Sequence, residues 1–225
     1  MTNEIIGVIP VKGSSERIQK KNLRPFGGTN LFELKLNQLK EAKGFTKLVV
    51  SSEDKGILKT AEEYGFGTHD RDPYYSTPHV SMSEVYSYIA SSISGEHIAW
   101  INVTNPLAEG EVYTRAIQEY LKMPNDRDCL LSVFEIKDNF YFKGKPVNFK
   151  PYPWSRSQDL EPLYSMSFVI NLLRRENMIR WGSCVGENPY FFVLDQITSW
   201  DIDFQVDFDF CEGIYRKRLE LDYSE

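Results

Sequence analysis

The chain has little cysteine, little histidine and no long apolar run. Its three cysteines, Cys129, Cys184 and Cys211, are far apart and lack any CxxC spacing. That pattern excludes a disulfide framework and a thiolate zinc site, and predicts reduced thiols in a cytoplasmic protein. The three histidines, His69, His79 and His97, have no partner at metal-ligand spacing and are expected to be hydrogen-bonded surface or loop residues. No apolar stretch approaches membrane-spanning length, and the start, MTNEIIG, lacks the charged and apolar parts of a signal peptide, so no membrane is expected as a partner. Neither GxxxxGK[ST] nor GxGxxG occurs. With no repeat, low-complexity tract or linker, residues 1–225 read as a single domain.

What is present is an ordinary globular composition, 41% apolar and 26% charged, with a net charge of −6. An acidic chain is not built for general nucleic-acid binding. Against that background the stretch IIGVIPVKGSSERIQKKNLRPF, residues 5–26, stands out. Ile5 to Pro10 reads as a buried strand, and the loop after it carries Gly13, Ser14 and Ser15 followed by Arg17, Lys20, Lys21 and Arg24. Small residues let backbone amides close round an anion, and the cations neutralise it, which is the chemistry a triphosphate needs. A solvated basic surface loop is the alternative.

Strand and helix signals then alternate, which predicts an α/β fold with a mostly parallel sheet covered on both sides. A helix is expected over Leu31 to Lys43, stopped by Gly44, and a strand over Lys47 to Ser52. Ile57 to Tyr64 is expected to be helical, stopped by Gly65. Residues 68–85 read as a polar loop with Arg71, ending in a helix capped by Ser81 or Ser83. His97 to Val103 reads as a strand running into Thr104-Asn105-Pro106-Leu107, and a helix with Val112, Ala116 and Tyr120 on one face follows. Cys129 to Ile136 is a further strand. From Lys137 to Pro162 the periodicity fails, and aromatics, prolines and glycine suggest hairpins forming an interface or a small local core.

Near the end, Trp200-Asp201-Ile202-Asp203 precedes a helix with Phe204, Phe208, Cys211, Tyr215 and Leu219 at helical spacing. In extended backbone alternate side chains share a face, so Asp201 and Asp203 point into one space. Two carboxylates completed by phosphate oxygens form a usual Mg²⁺ site. Alternatively, Asp203 caps the helix and Asp207 complements its dipole.

Read together, these motifs resemble those of the CMP-sugar-acid synthetases, the cytidylyltransferases that activate sialic acids, their bacterial relatives and Kdo. The pattern IPARxGSKxIPxKN stands here as IPVKGSSERIQKKN, with Ile9, Pro10, Ser15, Ile18, Lys21 and Asn22 matching and Lys12, Glu16 and Gln19 departing. QPTSPLR stands as NVTNPLA, so that Asn102 replaces Gln and Ala108 replaces Arg. RxQxLxxxY is matched by Arg156, Gln158, Leu160 and Tyr164, NGAIYI has become SMSFVI, and SxDIDxxxDF stands as SWDIDFQVDF. The resemblance covers residues 5 to about 212.

It implies a three-layer α/β/α Rossmann-like nucleotidyltransferase fold, with residues 137–162 projecting to pair subunits in a homodimer. The implied reaction joins CMP from CTP to the anomeric hydroxyl of a 2-keto-3-deoxy sugar acid. Pro10, Lys12, Gly13, Ser14, Ser15, Arg17, Lys21, Asn22, Arg71, Ser81 and Ser83 would bind the nucleotide, with Lys12, Lys21 and the amides near Ser14 and Ser15 on the phosphates, Asn22 on the ribose and Arg71 on the base. Asn102, Thr104, Arg156 and Gln158 would line the sugar side, and Lys21, Asp201 and Asp203 would act in catalysis, the two aspartates on Mg²⁺. Where some sialic acid enzymes place a carboxylate-binding Arg, this chain has Leu163, with Met166 nearby in place of Gly, which implies an acceptor other than N-acetylneuraminic acid. A glycosyltransferase using DxD and a catalytically lapsed binding protein are the competing readings.

Overall fold

A computed structural model describes residues 4–13 and 18–222. Ser14, Ser15, Glu16 and Arg17 lie outside the described residues. The first strand, β1 (Ile5–Pro10), is apolar on both faces and sits in the middle of a sheet. After it come α1 (Leu31–Glu41), β2 (Lys47–Ser52), α2 (Lys55–Glu63), β3 (Gly67–Asp70) and α3 (Met82–Ser92). The chain continues through β4 (His97–Trp100), α4 (Gly110–Tyr120), β5 (Cys129–Ile136) and β6 (Leu163–Arg174). It ends with α5 (Arg175–Trp181), β7 (Pro189–Leu194) and α6 (Gln205–Asp222).

The seven strands lie in the order β7-β5-β6-β4-β1-β2-β3, and only β6 runs antiparallel to its neighbours. Alternation along β1 splits the core into two layers. Ile5 and Ile9 pack with α1, α2 and α4 through residues such as Leu36, Ala61 and Ala116. Ile6 and Val8 pack with α3 and α5 through Ile89 and Met178. Helices therefore cover both faces, as a parallel sheet requires. Gly65 (φ +82°) adopts the left-handed backbone just beyond α2, where the sequence places its stop, whereas α1 ends at Glu41 with an extended Ala42, short of the expected Lys43 and of Gly44 (φ +100°).

Four local expectations change. β3, GTHD, lies inside the stretch read as a polar loop. It is an edge strand with no aliphatic residue, so its pairing with β2 leaves no hydrophobic period to read. α5 and β7 carry no expectation at all; a seven-residue helix is too short to display an amphipathic repeat. β4 ends at Trp100, with residues 101–103 already turning into the following loop. His97 and His69 are strand residues rather than surface ones: His97 is buried with Nδ1 2.8 Å from the Tyr120 hydroxyl, and His69 Nδ1 lies 3.0 Å from Ser51 Oγ.

Residues 137–162 form a short ribbon, Tyr141–Phe142 against Lys145–Pro146, whose ends are tied by Asn148 Nδ2 to Asp138 O and Glu161 O. Phe149 contacts Tyr141 and Trp154 edge-on, yet Phe142, Tyr152 and Trp154 remain exposed at 67%, 91% and 68%. The local core is small, and most aromatic area faces outward.

Lys35 is the anomaly of α1. It lies on the buried face with Leu31, Phe32, Leu36 and Leu39, wholly inaccessible, and Nζ donates to Asn105 O (2.9 Å), Ala108 O (3.5 Å) and the Tyr113 hydroxyl. One amine thus fastens α1 to the turn after β4. Burial lowers its pKa from 10.5 to about 7, the charge of Glu109 opposing. The unfolded chain keeps this proton to about pH 10, whereas the folded chain releases it near pH 7. Stability should accordingly rise with pH across that window, by roughly 1.4 kcal/mol per unit from this group, with the penalty complete below about pH 7. Denaturant unfolding of wild type and Lys35→Met at about pH 7 and pH 9 checks this: the wild type should gain roughly 2–3 kcal/mol relative to the variant. Parallel pH dependences would refute it.

Candidate functional site

Ligands in open α/β sheets bind beyond the carboxyl ends of the strands, and there a cleft of about 560 Å³ opens above β4 and β1. One side of it is the segment before α6. Buried Asn105 donates from Nδ2 to Ser167 O (3.0 Å), Trp200 O (3.2 Å) and Ser199 O (3.5 Å), and Ile202 N donates to Thr104 O (2.9 Å). The WDID stretch is thereby laid along the turn after β4. Ile202 is fully buried against Phe208 and Leu107, while Asp201 and Asp203 on either side of it line the cleft with Asn102 and Thr104. The helix cap falls to Asp207, which accepts from Phe204 N (2.7 Å), Asp203 N (3.1 Å) and Trp200 Nε1 (3.2 Å). Burial pushes the Asp207 carboxyl up, but these donors outweigh it and hold its pKa below the ordinary value.

The floor is the loop after β1. Pro10, Lys12, Lys21 and Asn22 line it. Asn22 is buried and donates from Nδ2 to Lys12 O (3.1 Å), and its Oδ1 has no hydrogen-bond partner among the described residues. Lys21 Nζ donates to Ile202 O (2.5 Å), joining the first loop to the backbone between the two aspartates. From behind, α6 braces this loop: Phe26 packs on Phe208 (5.3 Å) and Tyr215 (5.5 Å), and Gly27 N donates to Glu212 Oε1 (2.9 Å). Of the expected nucleotide-binding residues, Ser14, Ser15 and Arg17 lie outside the described residues.

The far wall departs from the sequence reading. Ser76, Thr77, Pro78, Val80 and Met82 form it. Ser81 instead caps α3, its Oγ accepting from Glu84 N (3.3 Å) while Glu84 accepts from Ser81 N (3.1 Å), and exposed Ser83 follows within the helix; neither lines the cleft. Arg71 is only 2% exposed, with Nη2 on Val11 O (2.7 Å) and Glu53 Oε2 (2.6 Å). Its expected contact with a base edge is corrected to a role behind the wall, where its ion-pair partner is Glu53. Glu53 also receives Gly13 N (3.0 Å) and the Ser76 hydroxyl (2.7 Å). Burial would raise its pKa, but the bonds from Ser76, Arg71 and Gly13 hold it below the usual carboxylate value. Sequence reasoning missed Glu53, Ser76 and Thr77; the one available signal was an acidic residue directly after a buried strand.

Arg156 and Gln158 are likewise corrected. Both are exposed on the turn at Ser157–Asp159, Arg156 pairs with Asp159 (2.7 Å), and neither lines the cleft of its own chain, because the projecting segment carries them away. Leu163 and Met166 pair with Ile136 and Val133 on β5 and are also absent from the lining. A larger depression of about 800 Å³ lies between α1, α4 and α6, but none of the expected residues reaches it. The chemistry selects the smaller cleft.

Arg71→Ala leaves the Glu53 carboxylate without its buried counter-charge, which should destabilise the fold by about 3 kcal/mol. Arg71→Lys should recover only part of this, since an ammonium lacks the planar fork. Urea unfolding of the three proteins is the measurement, and a wild-type midpoint for Arg71→Ala would show that Glu53 needs no counter-charge.

A family model described as cytidylyltransferase matches residues 6–224. The chain is similar to the post-translational flagellin modification protein B of Campylobacter coli, 22% identical across 96% of this chain and 97% of that one. It is also similar to a pseudaminic acid cytidylyltransferase of Campylobacter jejuni, 24% identical across 95% and 97%. Among solved structures, CMP:2-keto-3-deoxy-manno-octonic acid synthetase complexed with CTP shares the fold at a TM-score of 0.72 and 13% identity, over 96% of this chain and 99% of that one. The chain that folds its two ends into this cleft belongs to the cytidylyltransferase family.

Proposed function

We propose that this protein transfers CMP from CTP to the anomeric hydroxyl of a nonulosonic or related 2-keto-3-deoxy sugar acid, releasing pyrophosphate. The observation that carries this reading is the meeting of Lys21, Asn22, Asp201 and Asp203 at one cleft. A relative named as a pseudaminic acid cytidylyltransferase, aligned over nearly the whole chain, supports the acceptor class. Lys12 and Lys21 hold the phosphates, and Asn22 offers its unpartnered Oδ1 to the ribose.

Asp201 and Asp203 fit Mg²⁺: both are hard oxygen donors on the cleft, and among the described residues no third His, Cys, Asp or Glu groups with them, which leaves room for phosphate oxygens. When bound there, the ion neutralises phosphate charge and makes the acceptor hydroxyl more acidic. The acceptor oxygen bonds to the α-phosphorus as the bond to the pyrophosphate oxygen breaks, and one of the aspartates takes the hydroxyl proton. Asn102 and Thr104 line the sugar side, with Arg156 and Gln158 of the projecting segment reaching a site only across a homodimer. Buried free thiols and a helix set in which no described helix can span a membrane suit the cytoplasm.

Asn102, on the cleft, is one methylene shorter than the Gln of the family pattern, so the acceptor should differ from N-acetylneuraminate. With CTP and Mg²⁺, pseudaminate or legionaminate should give the highest kcat/KM in a pyrophosphate-release assay that also includes Kdo and N-acetylneuraminate. Release with none of them would sink the proposed reaction, and a tenfold preference for N-acetylneuraminate, about 1.4 kcal/mol, would sink the argument from Asn102. Asp203→Asn should lower kcat by roughly 100-fold, about 3 kcal/mol, while leaving the unfolding midpoint in place. Near-wild-type turnover at saturating Mg²⁺ would remove Asp203 from the machinery.

A further inference from the structure

Asn105 is wholly buried and does not line the cleft, yet its side-chain amide is spent on the cleft's framework. Nδ2 donates to Ser167 O (3.0 Å) on one segment and to Trp200 O (3.2 Å) on another, with Ser199 O at 3.5 Å. Its own carbonyl accepts from Lys35 Nζ (2.9 Å), and Ile202 N donates to Thr104 O (2.9 Å). The peptide before Asp201 is therefore held by Asn105, and the peptide after it by Thr104. Peptide groups are planar, so holding the planes on both sides of one α-carbon fixes its two torsions and with them the direction of its side chain. Lys21 Nζ also reaches Ile202 O (2.5 Å), but that ammonium is assigned to the phosphates, whereas Asn105 serves no ligand.

The other end of the bridge is anchored in the sheet. Ser167 lies in the bulge that breaks the β6–β5 register between Met166 and Asn171, where Phe168 takes a left-handed φ of +54° and Ile170 N donates to Ser132 Oγ (3.1 Å). A non-glycine residue keeps such a backbone only where its surroundings impose it. An Asn amide has two N–H groups and can join carbonyls on two segments. Ser, which the pattern QPTSPLR has at this position, carries one proton and can serve only one of them.

We propose that Asn105 is a positioning residue for Asp201: it ties the peptide ahead of that carboxylate to the β6 bulge and so presents Asp201 to the divalent ion. The inference rests on Asp201 and Asp203 being the metal ligands of a CTP-dependent transfer. Loss of the tie should free Asp201, while the first loop, braced by α6 instead, keeps its hold on the nucleotide.

The test is direct binding of Mn²⁺, a paramagnetic stand-in for Mg²⁺, read from the electron paramagnetic resonance signal of the free ion at fixed CTP and without any sugar acid. The proteins are wild type, Asn105→Ser, Asn105→Asp and Ile89→Val, the last thinning the core on the sheet face that α3 covers. Both Asn105 variants should weaken the ion by roughly 10- to 100-fold, with CTP affinity in EDTA unchanged. Asn105→Asp keeps the side-chain shape but removes the donors, so it should lose at least as much as Asn105→Ser, which keeps one. Ile89→Val should lower stability and leave the affinity for the ion alone, which separates positioning from a general loss of order. Wild-type affinity in either folded Asn105 variant, or an equal loss in Ile89→Val, overturns the role and leaves the transfer reaction standing. Failure of both Asn105 variants to fold also overturns it, since the residue would then be structural only. A wild type that binds CTP without gaining an ion site overturns the metal assignment together with this inference.

Discussion

The cleft gathers an ammonium and two carboxylates from opposite ends of the chain, and the fold has to keep them in register around a charged ligand. Lys21 is set by the first loop, Asp201 and Asp203 by the approach to α6, and the bond from Lys21 Nζ to Ile202 O spans 181 residues of sequence. Coulombic attraction alone would hold such groups poorly where water reaches them. Dry contacts behind the cleft do the holding. Asn105 fixes the WDID backbone from the turn side, Lys35 fixes that turn to α1, and Phe208 with Tyr215 fixes the first loop from α6. The polar groups that face the ligand are carried on segments whose backs are apolar or fully bonded.

The other wall is organised by one carboxylate. Glu53 receives a backbone amide from the first loop, a guanidinium from the strand-edge loop and a hydroxyl from the cleft surface. Its bonds run to three segments that share no secondary structure, so side-chain chemistry adds to the backbone bonds from Val11 N to Ser51 O and from Arg71 N to Ser52 O in setting the spacing between the first loop and the far wall. The lowered pKa of Glu53 follows from those donors outweighing burial.

Much of this was legible in the sequence where local pattern is strong. β2 and β5 keep the bounds read from their apolar runs, and α2 stops at Gly65. The two terminal motifs were readable because each packs its residues into a few consecutive positions; spacing put Asp201 and Asp203 on one face, and the family resemblance joined them with Lys21 and Asn22. What escaped was non-local or patternless. β3 has no aliphatic period to detect. Arg71 looks like an exposed cation until its partner, 18 residues earlier, is known. Ser81 fitted both a cap and a contact, and only the capping box with Glu84 separates them. Arg156 and Gln158 matched a motif whose position depends on where a hairpin projects, which no spacing rule reports.

The brace that α6 applies to the first loop has a consequence for the order in which this protein can be made. β1 and its loop are synthesised well before α6, yet Phe26 gains its covering rings, Phe208 and Tyr215, only with that helix. A nascent chain still lacking α6 therefore exposes an aromatic side chain and a basic loop without its aspartates. The first loop therefore has its full apolar backing only once α6 has docked.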